Sequence, residues 1–150
     1  MATTPISLKG RALRLLGARE YSRVELERKL ARFEEEPGTL AKALDELQAK
    51  DFISDQRVLE SVLHRRSSKL GTARIRQELQ GKGLDPEAVG LALGQLRVTE
   101  AERAREVWRK KFGMAPADAS ERGKQMRFLA SRGFGGDAIR RVVTGGDEEG

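Results

Sequence analysis

One histidine, a run of glycines and a large excess of arginine are the groups in this sequence that could do chemistry. His64 could act as a general base or a metal ligand, but no second histidine and no cysteine stands at metal-ligand spacing. It precedes Arg65 and Arg66, and reads as a surface or half-buried helix residue. Ser67 and Ser68 follow without the G-x-S-x-G elbow of a hydrolase nucleophile and read as polar helix-end residues. Gly133-Phe134-Gly135-Gly136 has the look of a phosphate loop, yet it follows a helical pattern rather than a strand and lacks the Gly-Lys-Ser/Thr ending. Asp51 and Asp55 could pair on a metal, but a helix end followed by a helix start accounts for both. Trp108 and Phe112, at i and i+4, could stack on bases, although that spacing more often builds a core. The sequence therefore predicts no catalytic residue, no metal site and no cofactor.

The basic side chains remain. The 150 residues hold 29 Lys+Arg against 23 Asp+Glu, a net charge of +6, which points to an acidic partner. The charges are blocked along the chain. Residues 1–32 carry eight basic and three acidic side chains, and residues 34–55 carry seven acidic and two basic. Residues 57–82 carry seven basic and two acidic, and residues 103–141 eleven basic and four acidic. In the middle of the chain Arg65, Arg66, Lys69, Arg74, Arg76 and Lys82 follow one another. Near the end Arg109, Lys110, Lys111, Lys124, Arg127, Arg132, Arg140 and Arg141 do the same. Guanidinium forks bind phosphates and carboxylates alike, so both are candidate ligands.

Helices must position these groups. Ala, Leu, Arg, Glu and Lys dominate, Pro and Gly are sparse within long stretches, and no alternating β-branched run suggests a strand. Apolar residues recur at three and four, as in Leu26, Leu30, Phe33 and in Leu40, Leu44, Leu47. Ser22 with Glu25 forms a capping box, and Ser54, Thr72, Asp85-Pro86, Thr99 with Glu102, and Asp118 are further helix starts. Gly83 and Gly133 stand where a left-handed residue closes a helix.

The pattern repeats every 49 to 50 residues. Leu30, Leu79 and Leu129 align, as do Leu40, Val89 and Ile139, then Leu44, Leu93 and Val143, and Gly83 with Gly133. Gln125 breaks the alignment of Leu26 with Ile75, and Met126 is expected to fill that core position instead. The predicted helices are 8–18, 22–33 and 38–50; 54–69, 72–82 and 86–96; and 99–112, 119–132 and 137–144. The fold class is all-α: an elongated tandem array of three three-helix repeats, about nine helices. The repeats span 1–53, 54–97 and 98–145, with 146–150 a disordered tail. No run of about 18 apolar residues or secretory signal is visible, and cysteine is absent, which fits a cytoplasmic protein off the membrane.

Three segments carry a family resemblance. Asp51-Phe-Ile-Ser-Asp-Gln-Arg57, then His64-Arg-Arg, then Leu70-Gly-Thr-Ala-Arg-Ile-Arg-Gln-Glu-Leu-Gln-Gly-Lys-Gly83 resemble the middle signature of the RecX regulatory proteins. Lys124-Gln-Met-Arg-Phe-Leu-Ala-Ser-Arg-Gly-Phe134 is similar to that family's K-x-x-R-F-L-x-x-R-G-F motif. Ser22-Arg-Val-Glu-Leu-Glu-Arg-Lys-Leu30 resembles its S-x-x-E-L-x-x-K-L segment. Val58-Leu59 departs from the family's usual Phe-Ala and is expected to alter core packing. The resemblance implies tandem three-helix repeats and a protein that lies in the groove of the RecA–DNA filament. It further implies restraint of filament growth, ATPase, strand exchange and co-protease activity. Carried onto this chain, it makes Arg57, Arg65, Arg66, Arg74, Arg76 and Lys82 candidates for the filament-facing surface, joined by Lys124, Arg127 and Arg132. The implied partners are the RecA filament and DNA, single- or double-stranded, with the chain itself a monomer. A stand-alone DNA-binding protein using the same side chains is the competing reading. An elongated array should give a radius of gyration in solution scattering well above the roughly 15 Å of a compact domain of this length; a value at that figure would contradict the array.

Overall fold

A computed structural model describes residues 5–144, so the tail expected at 146–150 lies outside the described residues. Nine α-helices and no strand occur among the described residues: α1 (Leu8–Ala18), α2 (Arg23–Leu30), α3 (Thr39–Ala49), α4 (Asp55–Arg66), α5 (Thr72–Leu79), α6 (Pro86–Val98), α7 (Glu100–Lys111), α8 (Ala119–Ser131) and α9 (Gly136–Val143). None is long and apolar enough to cross a membrane.

Most helix ends follow the sequence signals. Ser22 closes a full capping box: its Oγ accepts from the Glu25 amide, and the Glu25 carboxylate accepts from the Ser22 amide. Asp118 accepts from the Glu121 amide, and Ser54 Oγ from the Arg57 amide. Other signals are answered differently. The predicted helix 22–33 is α2 followed by a single 3-10 turn, Ala31–Phe33. The predicted helix 72–82 stops at Leu79, because Gly81 (φ 87°) and Gly83 (φ 65°) both take left-handed backbone. Thr99 does not cap α7; its hydroxyl turns back to donate to Leu96 O.

The chain divides into two compact units: residues 1–61 with 80–85, and residues 62–79 with 86–150. In the first, α1, α2 and α3 enclose Ala12, Leu26, Leu30, Leu40, Leu44, Leu47 and Ile53. The turn 80–85 packs on the start of α2. Ser22 Oγ donates to Lys82 O at 2.6 Å, Lys82 Nζ pairs with Glu25 at 3.2 Å, and Arg28 donates to Gly81 O. A side chain on Gly83 would lie 2.7 Å from Val24 Cβ, so only glycine admits this approach. Burial pushes the Glu25 carboxyl up. Hydrogen bonds from Arg19, the Ser22 amide and Lys82 outweigh it and hold the group at about 2.

In the second unit α7, α8 and α9 surround Ala104, Leu129, Phe134, Ala138, Ile139, Val142 and Val143. Gln125, and not Met126, takes the core position: it is 2% exposed, accepts from Trp108 Nε1 at 2.8 Å and donates to Met114 O at 3.1 Å. Met126 packs at the edge of the same core, as does Trp108. Val58 and Leu59, the departure from the family pattern, are both buried.

Glu25 has its folded-state pKa lowered from 4.5 to about 2, so its contribution to stability is complete above pH 4.5 and fades as pH falls toward 2. Glu25→Gln should cost about 1–2 kcal/mol at neutral pH, with a gap to the wild type that narrows in denaturant melts taken down to pH 2. A gap constant with pH would contradict the network.

Candidate functional site

Four cations of the second unit converge where three pieces of chain meet: the end of α4, the start of α5 and the turn after α8. Gly71 lies directly against Gly133. The Gly71 amide donates to Arg132 O at 2.8 Å, and the Ala73 amide to Gly133 O at 3.3 Å. A Cβ on Gly71 would fall inside the Gly133 carbonyl, and one on Gly133 (φ 89°) would lie 2.7 Å from the Arg74 amide. Two glycines thus let two turns touch backbone to backbone. Arg74 reinforces the contact by donating to Ser131 O at 2.6 Å.

Arg103, from α7, fastens the same region. Its guanidinium donates to Ser67 O, Leu70 O and Leu96 O at 2.7–3.0 Å and to Thr72 Oγ1 at 3.3 Å. Burial pulls its pKa below the ordinary guanidinium value, against the raising effect of Glu100. The Glu100 carboxylate accepts from the Thr72 amide at 2.6 Å and the Gly135 amide at 3.2 Å. The start of α5 is therefore capped by a carboxylate 28 residues away, and not by the Thr72 hydroxyl. Helix N-terminal amides carry partial positive charge and favour such a partner.

On this support a cleft of about 450 Å³ opens, lined by Arg66, Lys69, Arg74, Arg132, Gln77 and Glu78. Four cations face one carboxylate. Arg66 Nε donates to Glu78 Oε1 at 3.0 Å, while the second oxygen, Oε2, is buried without a hydrogen-bond partner. Arg132 lies over the Phe128 ring, 4.9 Å from its centroid, a cation–π contact that helps to hold the guanidinium at the cleft. The cleft can receive a phosphate or a carboxylate; it holds no nucleophile activated by a base. Among the described residues no group of three His, Cys, Asp or Glu could hold a metal ion.

Of the nine candidates from the sequence, the cleft gathers Arg66, Arg74 and Arg132, and adds Lys69, which the charge pattern contains but the signature does not mark. Arg65, Arg76, Lys124 and Arg127 are exposed in the same unit and do not line it. Arg57 and Lys82 belong to the first unit and serve its packing. Arg57 pairs with Glu20 and Asp51, both at 3.0 Å, and donates to Asp51 O at 2.6 Å. The Lys82 side chain is 13% exposed against Glu25. Glu78 and Gln77 carried no signal of their own, since an acid in a basic helix reads as a solvated partner.

These features define an all-α protein of three-helix repeats with a cation-lined cleft. Its residues 9–47, 54–93 and 99–143 match the first, second and third three-helix domains of RecX. It is 53% identical over 144 residues to the regulatory protein RecX of Leptothrix cholodnii, covering 96% of this chain and 92% of that one. It is 45% identical to that of Ralstonia pickettii, covering 96% and 91%. The crystal structure of RecX from Lactobacillus salivarius superposes with a TM-score of 0.72 at 21% identity, covering 94% of this chain and 95% of the other, a likeness of fold. The chain belongs to the RecX family of regulatory proteins.

Gly71→Ala should destabilise the protein by about 3 kcal/mol, or roughly 10 °C in melting temperature, because backbone and not a flexible side chain must move. Gly94→Ala, on α6 with open space around it, should change stability by less than about 1 kcal/mol. Equal effects of the two would contradict the tight contact.

Proposed function

We propose that this protein restrains the RecA recombinase in the cytoplasm by seating in the groove of the RecA–DNA filament. Filament growth, ATPase, strand exchange and co-protease activity are limited as a result. The observation that carries this reading is the convergence of Arg66, Lys69, Arg74 and Arg132 on one cleft, the three arginines drawn from the segments that carry the RecX signatures. Arg66 and Arg74 come from the middle signature, Arg132 from the last. A nucleoprotein filament offers both phosphates and carboxylates, and a fork of guanidinium N–H groups fits either. Gly71 and Gly133 fix the backbone from which these cations project, which lowers the ordering cost of docking to that of the side chains themselves. The exposed Arg65, Arg76, Lys124 and Arg127 widen the positive surface around the cleft and steer the approach.

The same chemistry supports direct binding to DNA, and the two readings separate by experiment. A filament modulator inhibits RecA ATPase on single-stranded DNA at substoichiometric ratios. A stand-alone DNA binder competes for the lattice, acts only near stoichiometric coverage and weakens steeply with salt.

Titration of RecA ATPase at two salt concentrations should give substoichiometric inhibition by the wild type. Lys69→Glu with Arg132→Glu should weaken inhibition at least tenfold, with the helical circular dichroism and melting transition retained. Undiminished inhibition by a folded double variant would remove the cleft from the mechanism.

A further inference from the structure

Helix α6 is apolar on two opposite sides. Its thirteen residues, Pro86–Val98, include two charged ones, Glu87 and Arg97, in a chain that is 35% charged. One side carries Ala92, Leu93 and Leu96, all buried, and packs against α5 and α7. The other carries Leu91 and Val98, which are 68% and 84% exposed. Four residues share that outer side at i, i+4, i+7 and i+11, the spacing of a coiled-coil seam: Glu87, Leu91, Gly94 and Val98. Nothing lies within 4 Å of where a side chain on Gly90 or Gly94 would start, so the surface dips beside Leu91. Glu87 and Arg97, near the two ends of the helix, are exposed and pair with no opposite charge among the described residues. None of these residues lines the cation cleft. A helix apolar on both sides is ordinarily covered on both, and large aliphatic side chains held in water by a rigid helix mark a docking face.

The face is complementary to a second copy of itself. When two α6 helices pack antiparallel about a two-fold axis between residues 92 and 93, Leu91 of each copy lies opposite Gly94 of the other, large against small. The same register sets Glu87 of each copy beside Val98 and Arg97 of the other, so an unpaired acid meets an unpaired base twice. A parallel pair would set Glu87 against Glu87 and Gly94 against Gly94, like charge on like charge and gap on gap. The antiparallel pair also brings opposite ends of the two helix dipoles together. We propose that α6 is the contact surface of a homodimer, in which two copies of this chain pack α6 against α6 in antiparallel fashion. The helix is about 20 Å long, so the contact lies at the small end of specific interfaces and the dimer forms at roughly tens of micromolar protein. The inference does not rest on the filament reading, which uses other residues.

The test uses the full chain alone, by sedimentation equilibrium over a series of protein concentrations at low salt. The wild type should pass from monomer to dimer and stop there. Leu91→Glu with Val98→Glu, both at exposed positions, should keep the helical circular dichroism and the melting transition while dissociating about tenfold or more readily. Glu87→Arg and Arg97→Glu each set like charges together twice in the dimer, and each should weaken it about fivefold. An equimolar mixture of these two charge variants should recover the wild-type affinity, because every arginine then faces a glutamate, whereas mixing does not cure a misfolded chain. The proposal is overturned if the wild type stays monomeric throughout, as the family resemblance implies. It is overturned as well if association is untouched by the Leu91, Val98 variant, or if mixing the charge variants restores nothing. A folded Leu91, Val98 variant that keeps the wild-type mass but loses RecA ATPase inhibition would also overturn it and give the face to the recombinase.

Discussion

The cation-lined cleft of the second unit depends on Gly71 meeting Gly133 without a side chain between them. The contact brings the loop before α5 onto the turn after α8, and thereby sets Arg66, Lys69 and Arg74 beside Arg132. The first unit contains the corresponding device one repeat earlier. There Ser22, 49 residues before Gly71, hydrogen-bonds the carbonyl of Lys82, and Gly83, 50 residues before Gly133, lies against Val24. In both units the start of a second repeat helix rests on a glycine-closed turn from the following repeat. A three-helix unit of about 50 residues is near the limit of independent folding, so sharing such contacts is how the short helices acquire a core. It also explains why the compact units cut across the repeat pattern, with residues 80–85 packed in the first unit and residues 62–79 in the second.

The arginines divide by what their guanidinium groups touch. Arg23, Arg57 and Arg103 are structural. Arg23 reaches Asp45, Gln48 and Ala41 O, Arg57 joins Glu20 to Asp51, and Arg103 donates to five oxygens of the second unit, Thr99 Oγ1 among them. Exposed pairs of this kind are each worth about 0–1 kcal/mol. The half-buried Arg103 counts for more, since its removal would leave backbone carbonyls unpaired. Arg66, Arg74 and Arg132 keep donors available at the cleft, and only Arg66 has an acid beside it there. Net charge alone would have treated all six alike.

The legible part of the sequence was the part governed by local rules. Ser22 and Asp118 cap helices as their spacing from Glu25 and Glu121 requires, Gly83 and Gly133 take left-handed backbone, and the threefold repetition of helices agrees with the match to three RecX three-helix domains. What escaped the sequence depended on distant partners. Gln125 occupies a core position because Trp108 and Met114 satisfy both ends of its amide, 17 and 11 residues away. Arg57 and Lys82 sit within recognisable signatures, yet their charges meet Glu20 and Glu25 in the first unit. A motif preserves a residue type; it does not say whether that residue faces a partner or its own fold. The orphaned Glu78 oxygen left no trace in the sequence for the same reason.

Lysine footprinting tests the central claim most directly, because Lys69 lies in the cleft while Lys42 and Lys50 are exposed on and just after α3. The protein would be acetylated alone and again on RecA filaments assembled on single-stranded DNA, with each lysine's modification rate read by mass spectrometry. The account predicts that Lys69 becomes several-fold less reactive on the filament while Lys42 and Lys50 do not change. Unchanged Lys69 together with protected Lys42 and Lys50 would contradict it.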